Sequence, residues 1–198
     1  MAGEAKRCCV LLASLLAGAA HAAATGEDAP AASAARAFEN LKALAGSWQA
    51  TSTNGWTGRT EIRVIAGGSA ILATSVIGPH GDEAMATVYH LDGDRLVLTH
   101  YCVAGNQPRL ESTAISDGAR RIELAFRDGT NLASRNVGHM DRVWIEIEDA
   151  SRWRSRWTWY QDGEERWLEE IEHTRAGAEQ DPGADGSHGG GPAGEEQR

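Results

Sequence analysis

Residues that favour tight turns recur at a nearly constant interval along this chain. Asn54-Gly55, Gly67-Gly68, the stretch 79–82, Asp92-Gly93, the stretch 105–108, Asp117-Gly118 and Asp128-Gly129 follow one another about every ten to thirteen residues. Asp162-Gly163 closes the series. Each tolerates positive φ, which tight hairpin turns require and most residues resist. The runs between them are short and β-rich. The rhythm predicts an all-β fold: a meander of about ten antiparallel strands, each joined to the next by a short turn. Ten strands exceed what one open twisted sheet usually carries. No long connection is left for a Greek-key crossing, so closure into an up-and-down barrel is the favoured architecture.

The ends read differently. Lys6 and Arg7 precede an apolar stretch, 10–20, that is too short to span a bilayer, and small residues follow at 20–24. That is the pattern of a secretory signal peptide over 1–24, with a periplasmic or secreted product and no stable membrane anchor after cleavage. Cys8 and Cys9 would leave with it, so Cys102 remains alone and the mature chain can form no internal disulfide. Cleavage moves the formal charge from −9 to −10, which disfavours nucleic acid as a partner. Residues 25–33 read as a flexible leader, and 174–198, rich in Gly, Ala and acidic residues, as a disordered tail. One domain, 34–173, is left.

Phe38, Leu41, Leu44 and Ala45 lie at helical spacing before Gly46, predicting one short helix over 34–45. Everything after it alternates. Ile122, Leu124 and Phe126 oppose Arg121, Glu123 and Arg127; Val143, Ile145 and Ile147 oppose Arg142, Glu146 and Glu148. Thr60, Ile62 and Val64 do the same against Arg59, Glu61 and Arg63. Such patterning belongs to antiparallel sheet with one face in water. The segment 128–138 breaks the alternation and reads as a helical turn or a longer loop. In the last hairpin, a three-residue loop Gln161-Asp162-Gly163 would pair Trp157 with Trp167, Trp153 with Ile171 and Arg154 with Glu170. It leaves an Arg/Glu ladder outside and tryptophan inside.

Two groups of residues could carry function. The densest polar run is 99–109, from which His100, Asn106, Gln107 and Arg109 are candidate ligand contacts at a barrel mouth. Alternation places His100 and Cys102 on one face and Tyr101 on the other. The competing structural role is a turn whose Asn106 and Gln107 bond their own backbone around a core His100. Five of the seven tryptophans (Trp144, Trp153, Trp157, Trp159 and Trp167) fall in the last three strands. Trp157, Trp159 and Trp167 are candidate walls of an interior site; in a chain with only two Phe they equally serve as core filling. Trp144 alternates with Val143 and Ile145 and is expected to lie outward. Lone histidines without HxH, HExxH or CxxC spacing predict no metal, and no cofactor or catalytic signature is found.

The run from Met85 through Tyr89, His90 and Asp92-Gly93 to His100-Tyr101-Cys102 and Asn106-Gln107-Pro108-Arg109 resembles a family of uncharacterised exported bacterial proteins with a lipocalin-like barrel. Leu44-Ala45-Gly46-Ser47-Trp48 is similar to the Gly-x-Trp that opens calycin-type barrels, where the Trp packs across the floor. The resemblance covers most of 41–173. It implies the calycin fold and, as a habit of that superfamily, interior binding of a small, largely apolar molecule without catalysis. Trp48 then belongs at the floor and Trp153 nearer the rim. Three alternatives stand beside this expectation: an enzyme using His100 as base with Tyr101 or Asn106 as donor, a structural module of the cell envelope, and haem held through the late His173. A strand-ending histidine in His173's place otherwise reads as solvated.

Overall fold

A computed structural model describes residues 29–177. The predicted signal peptide, residues 25–28 of the leader and 178–198 of the tail lie outside the described residues. Helix α1 (Pro30–Lys42) is followed by ten strands: β1 (Gly46–Ser52), β2 (Thr57–Ile65), β3 (Ala70–Ile77), β4 (Ala84–Asp92), β5 (Arg95–Tyr101), β6 (Gln107–Ser116), β7 (Arg121–Thr130), β8 (His139–Ile147), β9 (Arg152–Gln161) and β10 (Glu164–Arg175). Each strand pairs with its sequence neighbour, and β1 pairs with β10, so the sheet is a closed antiparallel up-and-down barrel. That is the predicted fold class.

The helix begins four residues before the predicted start. Pro30 occupies its first turn, where a missing N–H costs nothing and φ is already suitable. Ala34, Ala37, Phe38 and Leu41 are its buried face, packed on β4, β5 and β6. Asn40 Nδ2 donates to the carbonyls of Gly118 (3.1 Å) and Ala119 (3.0 Å), tying the helix to the β6–β7 turn. Trp48 is 1% exposed below the helix, and its Nε1 donates to the Leu44 carbonyl at 2.8 Å. The floor position expected of it holds. Trp153 does not sit near the rim. It begins β9 at the helix end and meets Trp48 edge-to-face at 6.1 Å.

The strand ends correct further expectations. Thr174 and Arg175, read as tail, continue β10: they pair with Gln49 and Trp48. Arg175 donates to the carbonyls of Ala150 and Ala45, and its guanidinium lies over the Trp48 ring at 4.3 Å. Asp128-Gly129 is not a turn. Gly129 lies inside β7 opposite Pro108, and a side chain there would meet Leu132 Cδ1 at 2.5 Å. The chain turns afterwards through the loop 131–138, which contains no helix.

In the last hairpin the loop has two residues, not three. Asp162 (φ 53°) and Gly163 (φ 86°) both adopt the left-handed region that the commonest two-residue hairpin turn needs, and Glu164 faces Gln161. The register then shifts by one residue between Trp167 and Glu169. Trp167 therefore sits opposite Thr158, and Trp157 opposite Glu169. A bulge changes which parity faces inward halfway along the strand. An Arg/Glu ladder does cover the outside, with different partners: Arg156 binds Glu170 at 2.5 Å, Arg121 binds Glu146 at 2.9 Å and Arg142 binds Glu123 at 3.0 Å. These pairs are partly exposed, so each adds little stability.

Candidate functional site

The barrel is filled at one end and open at the other. Phe38, Leu41, Leu44, Trp48, Leu96, Leu98, Leu110, Ile122, Leu124, Val143 and Ile145 form a continuous core beneath the helix. Beyond it, between the turns at Asn54–Trp56, Gly78–His80 and Cys102–Ala104, lies a cavity of about 920 Å³. Small-molecule sites generally occupy roughly 300–1,000 Å³. Trp157, Trp159, Tyr89, Met85, Met140 and Ile171 supply its apolar and aromatic wall.

Polar groups are few, and they converge. His100 projects inward from β5, 5% exposed, with Nδ1 and the Thr87 hydroxyl 2.9 Å apart. Its Nε2 has no partner among the described residues. The ring is tilted against Trp157 at 5.4 Å. Trp157 Nε1 donates to Ser155 Oγ at 3.2 Å, and Ser155 Oγ lies 3.3 Å from His173 Nε2. His173 stacks flat on Trp153, ring centroids 3.6 Å apart, and its Nδ1 is also unpartnered. Burial alone pushes the His100 imidazole down to about 4 and that of His173 to about 3. Both rings are therefore neutral at pH 7. A neutral imidazole offers one donor and one acceptor, and a hydroxyl neighbour accommodates either tautomer. Neither His100 Nε2 nor His173 Nδ1 has a partner among the described residues, and both rings stand in the wall of the chamber. The solvated strand end expected for His173 is not found: the residue is 4% exposed.

The remaining candidates divide. Trp157 and Trp159 line the cavity with His100. Trp167 does not: the register shift in β10 turns it outward, where it is 56% exposed. Asn106 is buried, but its Nδ2 donates to the Gly138 carbonyl at 2.8 Å, fastening the β5–β6 turn to the loop before β8. Gln107 accepts from Thr130 (2.8 Å) and Asn131 (3.0 Å), also outside the cavity. Arg109 is paired with Asp128 on the barrel surface. Of the polar run 99–109, only the His100 side and Cys102–Ala104 reach the chamber; the rest holds the turn. Trp144 points outward, with Arg142 5.7 Å from its ring.

Tyr101 is 49% exposed on the outer face, and the pairing of β5 with β4 runs without a register shift through it. His100 and Tyr101 therefore do not share a site, and Asn106 is not beside His100. The donor set also fits haem poorly. Ser155 already engages His173 Nε2, and the lining residues include a carboxylate but no Lys or Arg to oppose propionates.

Sequence reasoning missed that carboxylate. Glu169 is 6% exposed and lines the cavity where β10 passes the β1–β2 turn. Its Oε2 accepts from Ser52 Oγ (2.6 Å), Trp56 Nε1 (2.7 Å) and Asn54 Nδ2 (3.5 Å). The available signal was parity, since Glu169 alternates with Ile171 and His173. Thr87 was legible in the same way between Met85 and Tyr89.

No family model matches the sequence, and no curated protein matches it. Among solved structures, the chain is similar to a protein of unknown function from the DUF3598 family of Nostoc punctiforme, with 9% identity and a TM-score of 0.43. The match covers 68% of this chain and 48% of the other, so the chain spans about half the length of the Nostoc protein. It is also similar to EF1p2_mFAP2b, solved bound to DFHBI, with 11% identity, a TM-score of 0.30 and coverage of 72% and 98%.

Proposed function

We propose that this is an exported, non-catalytic barrel that binds one small, largely apolar molecule in its open half. The observation that carries the reading is the cavity of about 920 Å³, walled by Trp157 and Trp159 with the neutral rings of His100 and His173 beside them. A chamber with an aromatic wall and few polar groups favours a flat apolar body carrying one or two hydrogen-bonding atoms. Export, through the signal pattern at 1–24, would put the barrel in the periplasm or outside the cell.

Titration with a library of lipophilic small molecules tests the reading. Trp157 and Trp159 would be in contact with the ligand, so intrinsic emission should change on binding. A ligand present at about a hundred times its Kd adds about 2.7 kcal/mol to stability. For a domain of this size that raises Tm by roughly 5–10 °C. A library in which no compound changes either emission or Tm would overturn the proposal.

A further inference from the structure

The charge inside the cavity narrows the ligand class. Glu169 is the only acidic one among the described residues that line it, and none of them is Lys or Arg. Among the described residues, no cation lies within ion-pair distance of its carboxylate, while the Arg/Glu pairs of the outer surface are closed. His100 and His173 are neutral at pH 7, so neither ring offsets the carboxylate, and burial raises the Cys102 thiol, which keeps it from adding a second negative charge. His80 stands exposed at the mouth. The three donors from Ser52, Trp56 and Asn54 all converge on Oε2, leaving Oε1 without a hydrogen bond among the described residues. A buried carboxylate with no cation beside it favours a ligand that brings one.

We infer that the molecule held in the cavity carries a protonated amine, which donates to Glu169 Oε1 while its apolar body lies against Trp157 and Trp159. The inference rests on the proposed reading of the cavity. A charge-assisted N–H···O bond is among the stronger hydrogen bonds available. Trp56, itself bonded to Glu169, and the inward tryptophans also suit a cation, because an aromatic face attracts positive charge. An amine of ordinary basicity is charged at pH 7. An anionic ligand of the same shape would meet the Glu169 charge unscreened.

Three probes of equal size decide it by isothermal titration calorimetry at pH 7: 2-aminomethylnaphthalene, 2-naphthalenemethanol and 2-naphthoic acid. The amine should bind about tenfold more tightly than the alcohol or better, and the acid most weakly. Glu169→Gln keeps an oxygen for Ser52 and Trp56 and should abolish the preference, read as the ratio of amine to alcohol affinity in the variant. If that variant fails to fold, the three-way comparison on the unaltered protein decides alone. Equal binding of amine and alcohol, or tighter binding of the acid, would overturn the inference and leave the cavity reading intact. No heat from any of the three would overturn it as well, with the cavity reading then decided by the lipophilic library.

Discussion

Acidification from pH 6.5 to pH 5 is expected to remove about 3 kcal/mol of stability, through His100 and His173 together. Burial holds the two imidazoles down to about 4 and about 3 in the folded barrel. In the unfolded chain an imidazole takes a proton near pH 6.5. Below that value the unfolded state binds protons that the folded state refuses, so stability is full above pH 6.5 and falls as the pH drops toward the folded values. Each group's slope approaches about 1.4 kcal/mol per pH unit only well below pH 6.5. A domain of this kind has only ~5–15 kcal/mol in total, so the loss is a large share of it. His100→Gln preserves a bond to Thr87 and removes one of the two titrations; its loss between pH 6.5 and pH 5 should be about 1.6 kcal/mol. Urea denaturation at the two pH values measures both. Equal stability at pH 6.5 and pH 5, or an unchanged loss in the variant, would contradict the assignment.

Trp48→Ala should cost about 3–5 kcal/mol, the range for truncating a buried aromatic. In a domain this size that is a fall of roughly 10–15 °C in Tm. Trp48 joins the helix end to the barrel: its Nε1 holds the Leu44 carbonyl, its edge meets Trp153, and Arg175 covers its face. Because Trp48 and Trp153 touch, the two truncations should not be independent. The double variant is expected to lose less than the two single losses added together. Thermal melts of the four proteins give the comparison, and simple additivity would mean that the edge-to-face contact couples nothing.

The barrel was legible because its two determinants are local. Positive-φ residues at Gly55, Gly93, Gly118 and Gly163 mark hairpins, and period-two alternation marks the inner face between them. Both signals fail where one residue is inserted. The shift after Trp167 reverses inward parity within β10; a reading carried back from Ile171 therefore put Trp167 inside and left Glu169 unremarked. Asp128-Gly129 carries turn composition but is held extended by pairing with Pro108, a tertiary constraint that composition does not express. The polar run 99–109 misled for a related reason. Side-chain capping of a turn and lining of a site draw on the same residue types, and only placement separates Asn106 and Gln107 from His100. The cavity itself was not legible at all. It is a small difference between the girth of ten strands and the volume of the side chains within, and it arises because the helix plugs one end with Phe38, Leu41 and Leu44 while nothing comparable fills the other.

The central claim is that this open half accepts a small molecule, and a saturation titration with N-phenyl-1-naphthylamine tests it most directly. Ala73 is buried on β3 and lines the cavity, so Ala73→Trp places an indole in the space a ligand would occupy. The unaltered protein should bind the dye saturably, one molecule per chain, with tryptophan-sensitised emission; folded Ala73→Trp should not. Absence of saturable binding to the unaltered protein, or equal binding by both, would contradict the account.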